Sequence, residues 1–253
     1  MKSITCLLLL LGLTLASRAQ LVAAPPATPL RHLNVAVLVY PGVGLGDLNG
    51  PLDVFTKANG STHGQYRVYT VALQPGPIRT QGGALTLTPD YVAGRMPRPD
   101  ILVVPGGTIG LVDSMARQQH PAIAFIRHYR DSVEVLMSVC TGAYLLGQAG
   151  ALTGHRATTH FFNGDDLLAQ YPGFTLVRDV RFVQDGKLLT TSGVTTGIDG
   201  ALHLVAHYSG ARTAALLAGA LQYTPREADA WPQAVDGMKF DRERRKKMGL
   251  LLK

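Results

Sequence analysis

Cysteine is nearly missing from this chain: there are two in 253 residues, Cys6 and Cys140. Cys6 lies in a segment expected to be removed, so the mature chain would hold one thiol and could form no internal disulfide. Beyond the N-terminus no stretch is long and apolar enough to cross a membrane. A basic body is missing too, although the formal charge is +7. Residues 239–253 carry seven basic and two acidic side chains. That surplus of five equals the whole surplus of the chain after Ala19, so the body is neutral and no nucleic-acid partner is expected. Internal repeats and dividing linkers are also lacking, which leaves one domain of roughly two hundred residues.

The N-terminus is patterned as a secretory signal. Lys2 supplies a positive start, Ile4 to Leu15 is almost wholly apolar, and Ser17-Arg18-Ala19 offers small residues for cleavage. The expected organisation is a signal peptide over 1–19, a Pro/Ala-rich linker over 20–33, a single domain over 34–224, and a C-terminal extension with a basic tail over 225–253. An exported protein, periplasmic or secreted, with no stable membrane anchor after cleavage follows from this reading.

Short apolar runs alternate with helical patterns, the signature of a mostly parallel sheet with crossover helices. Strands are expected over 34–40, 67–73, 101–104, 133–139, 177–183 and 188–191, with a short extra strand or hairpin arm over 84–89 and a brief extended piece over 157–160. Helices are expected over 47–58, 121–130, 141–147, 165–170, 198–208 and 211–221.

Cys140 stands where the apolar strand pattern of residues 133–139 runs into a helical one. A thiol at such a turn is exposed at the carboxyl edge of the sheet, and the following helix N-terminus favours its thiolate. A small buried hydrophobe is the other reading, and position alone leaves both open. Strand ends also bring Asp47, Gly106-Gly107 and His160 toward the same edge. Asp47 is expected to hold a proton beside the sulfur, or else to cap its helix. Backbone N–H groups of Gly107 and Thr141 are candidates for steadying an anion, with a plain turn as the alternative at Gly106-Gly107. His160 is read as a base, a hydrogen-bond partner or a structural residue. His203 and His207 share a helix face, but no third ligand is evident, so no metal and no cofactor are expected.

Five segments in order resemble the ThiJ/PfpI superfamily: 47–55, 102–107, 138–143, 154–160 and 191–203. Within it, Cys140-Thr141-Gly142, Ala157-Thr158-Thr159-His160 and Gly197-Ile198-Asp199 are similar to isonitrile hydratases and to the sensor halves of AraC-type regulators. The resemblance implies a flavodoxin-like three-layer α/β sandwich with a cysteine nucleophile elbow, in a homodimer. It also implies a small-molecule substrate, with Cys140 as nucleophile, Asp47 as acid partner, Thr141 assisting and His160 in the pocket. Thr141 stands where peptidase-like members carry histidine, so peptidase activity is not expected. The activity implied is isonitrile hydration; the alternatives are a glyoxalase or deglycase acting on reactive carbonyls, and a non-catalytic ligand- or redox-sensing module.

Overall fold

The structure, a computed structural model, describes residues 31–226. The chain enters through β1 (Leu33–Leu38), turns at Pro41-Gly42 and forms the long helix α1 (Leu45–Ser61). Next come β2 (Tyr66–Ala72), the small hairpin β3 (Ile78–Arg79) and β4 (Thr86–Leu87), and the two-residue edge strand β5 (Tyr91–Val92). The centre is β6 (Ile101–Val104), α2 (Ile109–Arg117), α3 (Pro121–Tyr129), β7 (Val135–Val139) and α4 (Gly142–Gln148). A peripheral section holds β8 (Arg156–Ala157), α5 (Gly164–Gln170) and β9 (Thr175–Leu176). The domain closes with β10 (Phe182–Asp185), β11 (Leu188–Thr191), α6 (Thr196–Ser209) and α7 (Ala211–Ala220).

Seven strands make the central sheet in the order β10-β11-β7-β6-β1-β2-β5, parallel throughout except for the antiparallel β10–β11 pair. From β1 the chain winds toward β2, and from β6 it winds the opposite way toward β7. Right-handed crossovers therefore place α1 on one face and α2 and α3 on the other. Helices α1, α6 and α7 pack together, and α2 and α3 pack on α4, giving the layers of a flavodoxin-like α/β sandwich.

The central strands explain why a parallel sheet forms. Every residue of Ile101–Val104 and of Val135–Val139 is buried, as strands covered on both faces must be. In α1 the buried residues Leu48, Pro51, Val54, Phe55 and Ala58 recur at three- and four-residue spacing, one stripe facing the core.

The strand expected over 177–183 is not continuous. Strand β9 ends at Leu176, β10 begins at Phe182, and Asp179 between them has φ +55°. Arg181 is turned inward there, and its Nε donates to Asp199 Oδ2 at 2.8 Å. Tyr223 Oη donates to the same carboxylate oxygen, and the Arg226 N–H donates to Asp199 Oδ1. A buried ion pair thus sets the path of this segment and ties the last described residues to the start of α6.

Candidate active site

Cys140 follows directly on β7 and has φ +57°, a left-handed conformation that a non-glycine residue adopts only where its surroundings impose it. Its backbone is held from two sides. The Cys140 N–H donates to Thr191 O at 3.0 Å, and Thr159 Oγ1 donates to Cys140 O at 2.9 Å. Helix α4 begins two residues later, at Gly142. A Cβ there would collide with the carbonyl oxygen of Val104, so only glycine lets the helix start this close to β6. The turn is the sharp strand-to-helix elbow read from the sequence.

Three loops are knitted together around it. Gly44 N–H donates to Gly106 O at 2.7 Å, and Tyr40 Oη donates to Pro105 O at 2.8 Å. Thr141 Oγ1 donates to Gly107 O at 2.8 Å and accepts the Gly107 N–H at 3.0 Å. This pair of hydrogen bonds between side chain and backbone has two consequences. Thr141 sits at the N-cap of α4 yet makes no capping hydrogen bond, because its hydroxyl is committed to the loop. And the Gly107 N–H, expected to face an anion, is already donated. Gly106 is the point of closest approach: a Cβ on it would collide with Thr141 Oγ1 and lie 2.8 Å from Asp47 Oδ2.

Asp47 does not cap its helix. Gly44 occupies that position, and Asp47 lies in the first turn with only 3% of its surface exposed. Its nearest polar neighbours are the Cys140 thiol and the Gly106 backbone, while Oδ1 is buried without a hydrogen-bond partner among the described residues. Burial pushes the carboxyl up to about 7, against the lowering influence of those two neighbours.

Cys140 is buried, with 7% of the residue exposed, and this reverses the expected charge state. Burial first, and the Asp47 carboxylate second, push the thiol far above its ordinary range. The backbone N–H and hydroxyl of Thr141 pull the other way, as a helix start should, but do not prevail. The resting sulfur is therefore a thiol donating toward the Asp47 carboxylate, rather than a free thiolate.

His160 lies one residue beyond Thr159, which holds the elbow. Its ring packs on Phe161 and Phe162, and burial lowers its pKa against an opposing hydrogen bond to Asn163. His160 is not among the influences that shift the Cys140 thiol, which are burial, Asp47 and Thr141. The His203–His207 pair is likewise accounted for locally, with His203 Nε2 2.5 Å from Gln184 Oε1 and its ring on Phe182. Among the described residues no group of three or more His, Cys, Asp or Glu is placed to hold a metal ion, and no helix is long and apolar enough to cross a membrane.

Residues that sequence reasoning passed over complete the frame. Tyr40 is buried beneath the Pro105–Gly107 loop, and burial, Asp47 and Cys140 together raise its phenol pKa. An aromatic at the end of β1 had read only as strand. Arg181 and Asp199 are 95 and 97% buried by their exposures of 5% and 3%, a pairing across eighteen residues that no local pattern announces.

Fold and site together are a mostly parallel α/β sandwich with Cys140 on a strained strand-to-helix turn and the buried Asp47 carboxyl beside it. The chain belongs to the DJ-1/PfpI family, whose model matches residues 33–207. An isonitrile hydratase of Pseudomonas putida is 37% identical over 193 residues, covering 76% of this chain and 79% of that one. The transcriptional regulator CdhR of Pseudomonas aeruginosa is 27% identical over 178 residues, 70% of this chain and 51% of the regulator. Among solved structures, a ThiJ/PfpI family protein from Pseudomonas syringae superposes with a TM-score of 0.71 at 27% identity, covering 94% of both chains. Drosophila melanogaster DJ-1beta, at 20% identity and a TM-score of 0.65 over 76% of this chain and 99% of that one, shares the fold.

Proposed function

We propose that this protein is an exported, cysteine-dependent lyase that adds water to isonitriles and releases N-substituted formamides. The observation that carries the reading is the Cys140 thiol set against the Asp47 carboxyl, one proton between two buried groups. The 37% identity to an isonitrile hydratase supports the choice of substrate.

The chemistry needs little beyond that pair. Asp47, half-ionised near neutrality, takes the thiol proton as the sulfur attacks the terminal carbon of the isonitrile. The carbon lone pair then takes this proton back from Asp47, leaving a thioimidate on Cys140. Water adds to its C=N bond, the nitrogen is protonated, and the tetrahedral adduct expels the cysteine sulfur as formamide forms. The thiol proton is restored, so the net change is one water added. Thr141 has two duties: its N–H lies beside the sulfur, and its hydroxyl fixes the Gly106-Gly107 loop. The Gly107 N–H takes no part in binding an anion, and no step is assigned to His160.

The test follows cyclohexyl isocyanide and methylglyoxal with folded full-length protein beside Cys140→Ala. Formamide from the wild type, reduced at least about 10³-fold in the variant, is the expected result. Lactate without formamide would move the assignment to reactive carbonyls; neither product from a thiol-reactive wild type would make the protein a sensor. The proposal also takes the mature chain to start at Gln20 and to act as a homodimer. N-terminal sequencing of exported protein and sedimentation analysis check both.

A further inference from the structure

A cavity opens on the carboxyl edge of the sheet, away from the elbow. Its volume is about 250 Å³, and it lies between the ends of β1 and β2 and the start of α3. Ligands of open α/β sheets gather beyond the carboxyl ends of strands, so the place is a natural one. The volume falls below the roughly 300–1,000 Å³ usual for drug-sized ligands, so it suits a compact molecule.

The walls say what kind. Pro41, Pro75, Pro77 and Pro121 all line the cavity, and their fixed φ angles make it a preformed slot with little to order on binding. No acidic or basic side chain other than His120 borders it. Nδ1 of His120 accepts the Ala122 N–H at 3.2 Å, capping α3, so the ring proton sits on Nε2. Burial lowers the pKa of this ring, which keeps it neutral. Nε2 has no hydrogen-bond partner among the described residues, and neither does the amide of Gln74 at the rim. A fixed N–H donor, an exposed amide that both donates and accepts, and a lining shared between polar and apolar groups match a ring bearing a carboxamide.

One wall leads to the elbow. Tyr40 borders the cavity, and its hydroxyl donates to Pro105 O, at the head of the loop that meets Asp47 and Thr141. We propose that this cavity is a second small-molecule site, taking a compact uncharged carboxamide on a single ring and coupled to Cys140 through Tyr40. The inference stands whichever reaction Cys140 performs.

Benzamide is the probe, with benzoate and toluene as controls. The ¹⁵N-labelled full chain is titrated by NMR, both free and after alkylation of Cys140 with iodoacetamide. Saturable binding at or below about 10 mM is expected for benzamide in both forms, shifting the amides of Val39, Gly76 and Ala122. The charged and carbonyl-free controls should bind at least about tenfold more weakly. His120→Asn keeps a capping acceptor but removes the Nε2 donor, and should weaken benzamide about tenfold or more. Pro77→Trp, at an exposed wall, should close the mouth without disturbing the core. Saturation should also change the rate of Cys140 alkylation several-fold. Absent saturation, shifts confined to the elbow, loss of binding on alkylation, or indifference to both variants would overturn the site. An unchanged alkylation rate at saturation would overturn the coupling.

Discussion

Asp47 and Cys140 behave as one titrating pair, and their proton makes measurable predictions. The folded state binds the Asp47 proton near pH 7, whereas the unfolded chain releases it near the ordinary value of 3.8. The folded state thus holds more protons between those limits, so stability falls as pH rises from about 4 to 7 and levels off above. The window is worth roughly 4 kcal/mol by linkage. Urea titrations of Asp47→Asn across this range should lose most of that slope. The same ionisation should lift kcat/KM for isonitrile through about pH 7, and Asp47→Asn should lower it about 10²–10⁴-fold without that inflection. Thr141→Val should cost about 1–3 kcal/mol by stranding the Gly107 N–H and carbonyl, with Thr141→Ser recovering most of it in thermal melts. Position and residue type made Cys140 and Asp47 legible, because strand ends and helix starts leave clear patterns. The charge state was not legible: a helix start argues for a thiolate, and only the packing reveals that burial outweighs it.

Elements were legible where a single periodicity ruled. Ile101–Val104 matches expectation to the residue because a fully buried strand leaves an unbroken apolar run, and Leu188–Thr191 matches because its β-branched threonines, though polar, suit a buried strand. Helix α2 was passed over, although Thr108 accepts the Leu111 N–H at its start and Val112, Met115 and Ala116 face the core. Gly110 and the preceding Gly106-Gly107 masked it as loop. The run 177–183 misled in the opposite direction, because β-branched residues there serve a bent segment anchored by Arg181. Breaking that anchor should be costly: Arg181→Met leaves Asp199 charged and buried, a loss of about 3–5 kcal/mol in urea denaturation. The double change Arg181→Met with Asp199→Leu should recover much of it. At the elbow, Gly142→Ala must displace the end of β6 or the start of α4, and should destabilise by about 1–3 kcal/mol.

At the scale of the whole molecule, the order of five short segments was enough to expect the sandwich, and the sheet and the DJ-1/PfpI match agree with it. Such agreement reaches the fold and the elbow but stops short of the substrate, since the same domain occurs in a hydratase and in a regulator. The signal peptide expected over 1–19, most of the linker expected over 20–33 and all but the first two residues of the extension expected over 225–253 lie outside the described residues. Chemistry at the sulfur therefore decides the account. The direct measurement is intact and peptide mass of the protein, quenched during turnover of cyclohexyl isocyanide. The account predicts one added isonitrile on the peptide containing Cys140, absent from Cys140→Ala, with formamide appearing as the adduct decays. Formamide produced undiminished by Cys140→Ala would contradict it.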